Sequence, residues 1–447
     1  MRIEIPREAE RFGANHIYGL QKVYEFDSGP HHEASGDEDS VIQRLSYEQL
    51  YEIEKEMAIV VPIRDEKLKL LEGVLFGIPH HCLVIVVSNS KREPVDRFTM
   101  EHKALEVLAR FTRKRLLHLH QKDPVLSDAL ARAGYDYLLD EDGLVRDGKA
   151  EGMIVATLLA CLAGKRYVGF IDADNYFPGA VHEYIKEYAA GFALSNSDYS
   201  MVRIAWNSKP KIVRSHLYFA KWGRTSVVTN HFLNKLVSHY TGFGTEVIKT
   251  GNAGEHAMTM DLALQLDYAT GYAIEPYHYI NLWERYGGVV GSLSSDIILR
   301  HVEIFQIESR NPHLHEAKGE AHVDQMILAA LQTIYHSPIC PEELKREIVQ
   351  ELRERGILGP GDPVPEGTYY PSLHRVDLET LRKALCNEPY APLLERSSRP
   401  DAPPLPQAAP AGRETLENGH LGDTGDELPE EAAAPALENG KTDAPPA

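Results

Sequence analysis

The 447-residue chain is poor in cysteine, and its four, Cys82, Cys161, Cys340 and Cys386, are scattered with no CxxC pair. Neither a disulfide framework nor a thiolate zinc site is available to such a sequence, so all four are expected to be small core residues. Long apolar runs are also lacking: nothing approaches the roughly 18 residues of a membrane span, and the charged start MRIEIPREAERF has no apolar leader core. A cytoplasmic protein with no membrane partner is expected. Positive charge is scarce as well, with 47 Lys and Arg against 66 Asp and Glu and a formal net charge of −19. Nucleic acid is not an expected partner, because non-specific binding needs a basic surface to displace counterions from phosphates.

Part of the acidity lies in a tail. From about Arg399 the chain is rich in Pro, Ala, Glu and Asp and too poor in large apolar residues to offset its conformational entropy. Four segments are expected: 1–50, an N-terminal extension packed on the core; 51–320, an α/β domain holding the site; 321–395, a mainly helical subdomain; and 396–447, a disordered acidic tail.

What the chain does contain is alternation. MAIVV (57–61) and CLVIVV (82–87) are short apolar runs, and between them EKLKLLEGVLFGIP carries leucines at helical spacing. A helix over about Asp96 to Phe111, a strand at Leu116 to His120, a helix at Lys149 to Leu162 and the strand YVGFI follow. Strands alternating with helices predict a mostly parallel, Rossmann-like sheet covered on both faces. Ligands of such sheets bind beyond the carboxyl ends of the strands, where PIRDE, SNS and DADN all fall. After residue 200 the pattern is mixed. MVRIAW reads as a strand, and KWGRTSVVTNHFLNKLV and TGNAGEHAMTMDLALQL each read as a loop feeding a helix.

YVGFIDADNYFPG (167–179) runs an apolar strand into Asp172 and Asp174, with a turn expected at Pro178-Gly179. Two carboxylates at the mouth of a parallel sheet form a hard oxygen site suited to Mg²⁺ or Mn²⁺, which would neutralise a diphosphate leaving group. Asp also caps helices and turns, so the pair alone is a weak signal. A phosphatase with an Asp nucleophile fits poorly, because Asn175-Tyr176 follow where Gly-Thr would be required. DGLVRDGKAEGM offers Arg146 and Lys149 among glycines ahead of a helix, a place for an anion although not a P-loop. KWGRTS, with Gly223, Arg224, Thr225 and Ser226 opening a helix, can hold a phosphorylated substrate or simply cap that helix. His313 and His315 of HLH share one face if extended, and either could give a metal an imidazole. Glu255 is either a working carboxylate or a favourable helix-start residue. Trp283 reads as packing before sugar stacking.

VPIRDEK, SNS, DGLVRDGKAEGM, YVGFIDADNYFPGAV, TGNAGEHA and RNPHLHEAKG, in this order, resemble the mannosyl-3-phosphoglycerate synthase family, over residues 1 to about 390. The resemblance implies a retaining glycosyltransferase of the GT-A fold that moves mannose from GDP-mannose to the 2-hydroxyl of 3-phosphoglycerate, with Mg²⁺ or another divalent ion. The product class is linked to compatible-solute synthesis, and a homodimer is expected. Residue by residue, it implies a nucleoside site at Pro62, Arg64, Glu66, Ser88, Asn89 and Ser90, and a donor-phosphate residue in Lys149. Asp172 and Ala173 would face the ribose or the donor sugar. Asp174 would bind the metal with His315, slightly preferred, or His313. Gly223, Arg224, Thr225 and Ser226 would cradle the acceptor phosphate, Asn252 would lie near the acceptor, and Glu255 would orient the sugar. The rival readings are a glucosyl-3-phosphoglycerate synthase and a non-catalytic nucleotide-sugar-binding protein.

Overall fold

The computed structural model describes residues 1–26, 42–213, 216–220, 223–291, 300–314, 319–386 and 389–395. The chain divides into a unit Met1–Ala408 and a second, Ala409–Ala447, which lies outside the described residues, as does all of the predicted tail 396–447. His315 also lies outside them.

The first unit is built on an eleven-stranded sheet. Its central strands are β3 (Asn15–Glu25), β14 (Val302–Glu308), β9 (Tyr199–Ala205), β12 (His256–Thr259), β8 (Tyr167–Phe170), β5 (Met57–Ile63), β6 (Leu83–Ser88) and β7 (Arg115–His120), in that spatial order. β3, β14, β9, β8, β5, β6 and β7 run in one direction; β12 runs against them. β1 (Arg2–Glu4), β2 (Ala9–Phe12) and β4 (Ile42–Arg44) extend the sheet beyond β3. A mostly parallel sheet with helices on both faces is thus what the alternation implied.

The two faces can be read from the period of two. Ala58 and Val60 of β5, with Ile85 and Val87 of β6, enter a core shared with α5 (Lys149–Leu162). Ile59, Val61, Val84 and Val86 point the other way, into a core closed by α2 (Leu68–Gly77) and α6 (Pro178–Leu194). Each fully buried Val or Ile side chain contributes about 1.5–3 kcal/mol, which is why these strands can be continuously apolar. Apart from Lys149, α5 is buried all round, as its sequence AEGMIVATLLACL requires. The remaining elements used below are α3 (Arg97–Thr112), α7 (Arg224–Thr241), α9 (Ile274–Tyr286) and, from the C-terminal segment, α10 (Glu320–His336), which packs on α7 and α9.

Three expectations are corrected. Pro178-Gly179 opens α6 rather than making a turn, because proline at the first helical position loses no needed hydrogen bond and its φ is already helical. TGNAGEHA does not feed a helix directly: His256–Thr259 forms β12, whose four buried residues are too few to show an alternation. Cys386 is exposed, while Cys82, Cys161 and Cys340 are buried as expected. No described helix is long and apolar enough to cross a membrane.

α6 also carries a buried acid, Glu187, beside Glu183. Burial first, and the charges of Glu183 and Glu308 after it, hold the Glu187 carboxyl well above the ordinary carboxylate range. The folded chain therefore keeps a proton that the unfolded chain loses above about pH 4.3, so this group's contribution to stability falls as pH rises. Glu187→Gln is expected to raise the melting temperature at pH 8 by a few degrees and to change it little at pH 4. Calorimetry at the two values checks this, and an equal shift at both would remove the assignment.

Candidate functional site

The carboxyl ends of β5, β6 and β8 lie along one edge of the sheet, where their loops line the candidate crevice. From β5 the chain enters Arg64-Asp65-Glu66, where Asp65 takes a left-handed φ of 56°. The neighbouring loop compensates: the Asp65 amide donates to Ser90 Oγ at 2.7 Å, and the Lys91 amide donates to Asp65 Oδ1 at 3.1 Å. Ser88 and Ser90 each donate their hydroxyl to the buried Glu101 of α3, both at 2.7 Å. Burial raises the Glu101 carboxyl, and the two hydroxyls oppose the rise. These serines thus fix the two loops to each other, and it is Asn89 between them whose side chain reaches into the crevice wall, bonding Asp147. Partial burial pushes Asp147 up, but Asn89, Lys122 and Arg64 outweigh it and hold the carboxyl below its usual range. Arg64, Asn89 and the Asp147–Lys149 loop, far apart in sequence, therefore meet. Pro62 and Glu66 are half-buried at the same rim, and the Glu66 carbonyl accepts from Arg97 at 2.7 Å.

Lys149, the first residue of α5, is the charged centre. Its Nζ lies 2.6 Å from Asp172 Oδ1 and 2.7 Å from Glu275 Oε1. Burial disfavours its charge, yet Asp172 and Glu275 overcome that and raise the ammonium well above its ordinary value, so it stays cationic at any working pH. Asp172 is half-buried, whereas Ala173, Asp174 and Asn175 are buried. Gly254 faces this group so closely that a Cβ there would meet Asp172 Oδ2 at 2.5 Å, which accounts for glycine in TGNAGEHA.

Because β12 is antiparallel, its beginning, not its end, lies at the same edge as Asp172: His256 pairs with Phe170. Glu255 is delivered there, fully buried, and accepts a 3.0 Å hydrogen bond from Trp206 Nε1. Burial and then the charge of Asp172 push the Glu255 carboxyl upward; Asp174 adds to the rise, and Lys149 and Trp206 oppose it. Trp206 stacks on the buried His313 with ring centres 3.9 Å apart, and Tyr184 Oη lies 3.4 Å from His313 Nδ1. Asn252 is buried, and among the described residues neither its Nδ2 nor its Oδ1 has a partner.

Gly223 is the N-cap of α7, which Arg224, Thr225 and Ser226 open, and a glycine there supplies no side-chain cap. Arg224 is exposed and pairs with Glu320 of α10. Further along, Asn230 Oδ1 accepts from the Gly251 amide at 2.7 Å, so α7 also braces the loop that carries Asn252. Trp283 is fully buried against Phe12 and Tyr279, which places it in packing, away from any sugar.

Sequence reasoning missed Glu275 and Trp206. A glutamate in the first turn of a helix reads as dipole compensation, and nothing in GYAIEPYHYIN announces its pairing with a lysine 126 residues away.

Carboxylates and a half-buried lysine gathered at the carboxyl edge of a mostly parallel sheet mark the place where enzymes of the α/β class bind their ligands. The comparisons with known proteins make this specific. Residues 5–385 match the family described as mannosyl-3-phosphoglycerate synthase (osmo_MPGsynth), and the chain belongs to that family, which makes it a glycosyltransferase. It is 46% identical over 388 residues to the mannosyl-3-phosphoglycerate synthase of Pyrococcus furiosus, covering 87% of this chain and 98% of the relative. To the enzyme of the same name from Aeropyrum pernix it is 36% identical over 376 residues, 83% of this chain and 94% of the relative. Among solved structures, a glucosyl-3-phosphoglycerate synthase from Mycobacterium tuberculosis in complex with phosphoglyceric acid is similar at a TM-score of 0.43 and 16% identity, over 66% of this chain and 85% of that one.

Proposed function

We propose that the protein moves mannose from GDP-mannose to the 2-hydroxyl of 3-phosphoglycerate with retention of configuration, as a homodimer that uses a divalent metal, Mg²⁺ before Mn²⁺. The observation that carries the reading is the pairing of Lys149 with Asp172 and Glu275 inside the crevice. A permanently charged ammonium with two carboxylate partners can turn to a diphosphate and still be neutralised by the remaining carboxylate.

The donor set fits a hard divalent ion. Asp174 is a buried carboxylate, and the crowding of Asp172, Asp174 and Glu255 is of the kind a cation relieves. Among the described residues no three His, Cys, Asp or Glu side chains form a complete metal cluster. Mg²⁺ tolerates such a sparse protein shell, since it keeps waters and takes phosphate oxygens. Asp174 with His313 or His315 would hold it, and when bound it would neutralise charge on the leaving diphosphate.

The chain's own residues do the rest. Arg64 and Asn89 border the nucleoside side, with Pro62, Glu66, Ser88 and Ser90 shaping it. Lys149 stabilises the departing GDP, while Asp172 and Ala173 face the ribose or sugar. Asn252 and the first turn of α7 hold the acceptor, and Glu255 orients the sugar. Attack from the leaving-group face lets a diphosphate oxygen take the acceptor's proton, so no protein nucleophile is required.

Purified protein incubated with GDP-mannose, 3-phosphoglycerate and Mg²⁺ should release GDP and an α-linked mannosyl-phosphoglycerate, identified by mass and NMR. No product from GDP-mannose, or a preference for a glucose donor in competition, would overturn the donor assignment. Arg224→Ala is expected to raise KM for the phosphorylated acceptor about tenfold with little change in kcat. An unchanged KM would move the phosphate site elsewhere.

A further inference from the structure

Arg203 lies on β9, opposite His256 of β12 and Gln306 of β14, and is fully buried. A buried guanidinium is normally matched by a carboxylate. This one is matched by backbone. Nε donates to the Thr250 carbonyl at 3.0 Å; Nη2 donates to Thr250 at 2.8 Å, to Gly251 at 3.3 Å and to Glu275 at 3.0 Å. Its guanidinium carbon also lies 4.6 Å from the centre of the Tyr279 ring, and the Tyr279 hydroxyl bonds Thr250 Oγ1 at 2.9 Å.

These carbonyls belong to two segments with different tasks. Thr250 and Gly251 open the loop that presents Asn252, Gly254 and Glu255. Glu275 sits in the first turn of α9 and holds Lys149 with its side chain. One rigid fork therefore spans the loop on the acceptor side and the carboxylate behind the donor-phosphate lysine.

We infer that Arg203 is a positioning residue that sets the spacing between the acceptor loop and Lys149. The inference rests on the function proposed above and adds to it the element that aligns the two substrates. Its geometry is specific to arginine: a lysine ammonium is a point donor and cannot reach both carbonyl sets in one plane. Displacements of about 1 Å at reacting centres cost on the order of 10²-fold in rate, so loosening this fork should act on transfer before it acts on binding.

The test uses the full chain with Arg203→Lys and Arg203→Gln beside the wild type. Expected for both is a fall in kcat of about 10–100-fold, with KM for GDP-mannose moving less than about threefold. The fraction of donor lost to water rather than acceptor should rise, a partition that a change in folded fraction alone leaves untouched. Hydrogen exchange should quicken at 250–255 and 274–276 and stay as in the wild type in β5 and β6. Unchanged partition and exchange in folded variants would overturn the assignment. Loss of the fold in both would overturn it too, leaving Arg203 a residue of the core. If the wild type itself forms no product, the functional reading falls, while the exchange pattern still decides whether Arg203 ties the two segments together.

Discussion

Lys149→Met is expected to lower kcat by about 10²–10³-fold, the range seen when one preorganised donor to a developing negative charge is removed. The structure adds a second consequence. Lys149 is the ion-pair partner of Asp172 and Glu275, and its removal leaves the buried Glu275 carboxylate without that partner. Breaking a buried pair from one side costs about 3–5 kcal/mol, so the single variant should also melt earlier. Adding Glu275→Gln to Lys149→Met removes the stranded charge. The double variant should recover most of the stability and none of the activity. Thermal denaturation and initial rates on the same samples separate the two effects, and recovery of both together would show that Lys149 acts only through the fold.

Asp174→Ala is the other large effect, a loss of about 10³-fold or more in turnover, because the proposed metal would lose the carboxylate assigned to hold it and the diphosphate its neutralising charge. Asp174 lies in a tight segment in which the Tyr176 amide bonds its carbonyl at 3.0 Å, a backbone contact that alanine keeps. The circular dichroism spectrum should therefore be unchanged. Calorimetric titration with Mn²⁺ in the presence of GDP should lose its binding signal. Full activity in this variant would remove Asp174 from the metal assignment.

The parts of this molecule that could be read from sequence are those set by local physics. β5 and β6 are largely apolar and α5 mostly so because they are buried on nearly every side, and their boundaries fall within a residue or two of those expected. The placement of the PIRDE, SNS and DADN loops on one edge follows from parallel strands sharing a direction, so it could be foreseen before any contact was known. Glu275 could not, since its partner is chosen by tertiary placement alone. Nor could the division of labour in SNS, where two serines serve Glu101 and one asparagine faces the wall. β12 was hidden by its brevity. The N-terminal strands β1 to β4 were not resolved by periodicity, although β3 lies next to β14 in the main sheet.

The reversal of β12 makes the composition of the site a matter of register. Glu255 reaches the crevice because His256 stands across from Phe170 on one side and Arg203 on the other. A slip of one residue would send every side chain of this four-residue strand to the opposite face and offer the sugar an imidazole in place of a carboxyl. Such a strand has few bonds of its own with which to resist slipping. Its alignment is borrowed from its two neighbours, of which only β9 is longer, so substitutions deep in β8 or β9 can silence the enzyme while the rest of the chain remains folded.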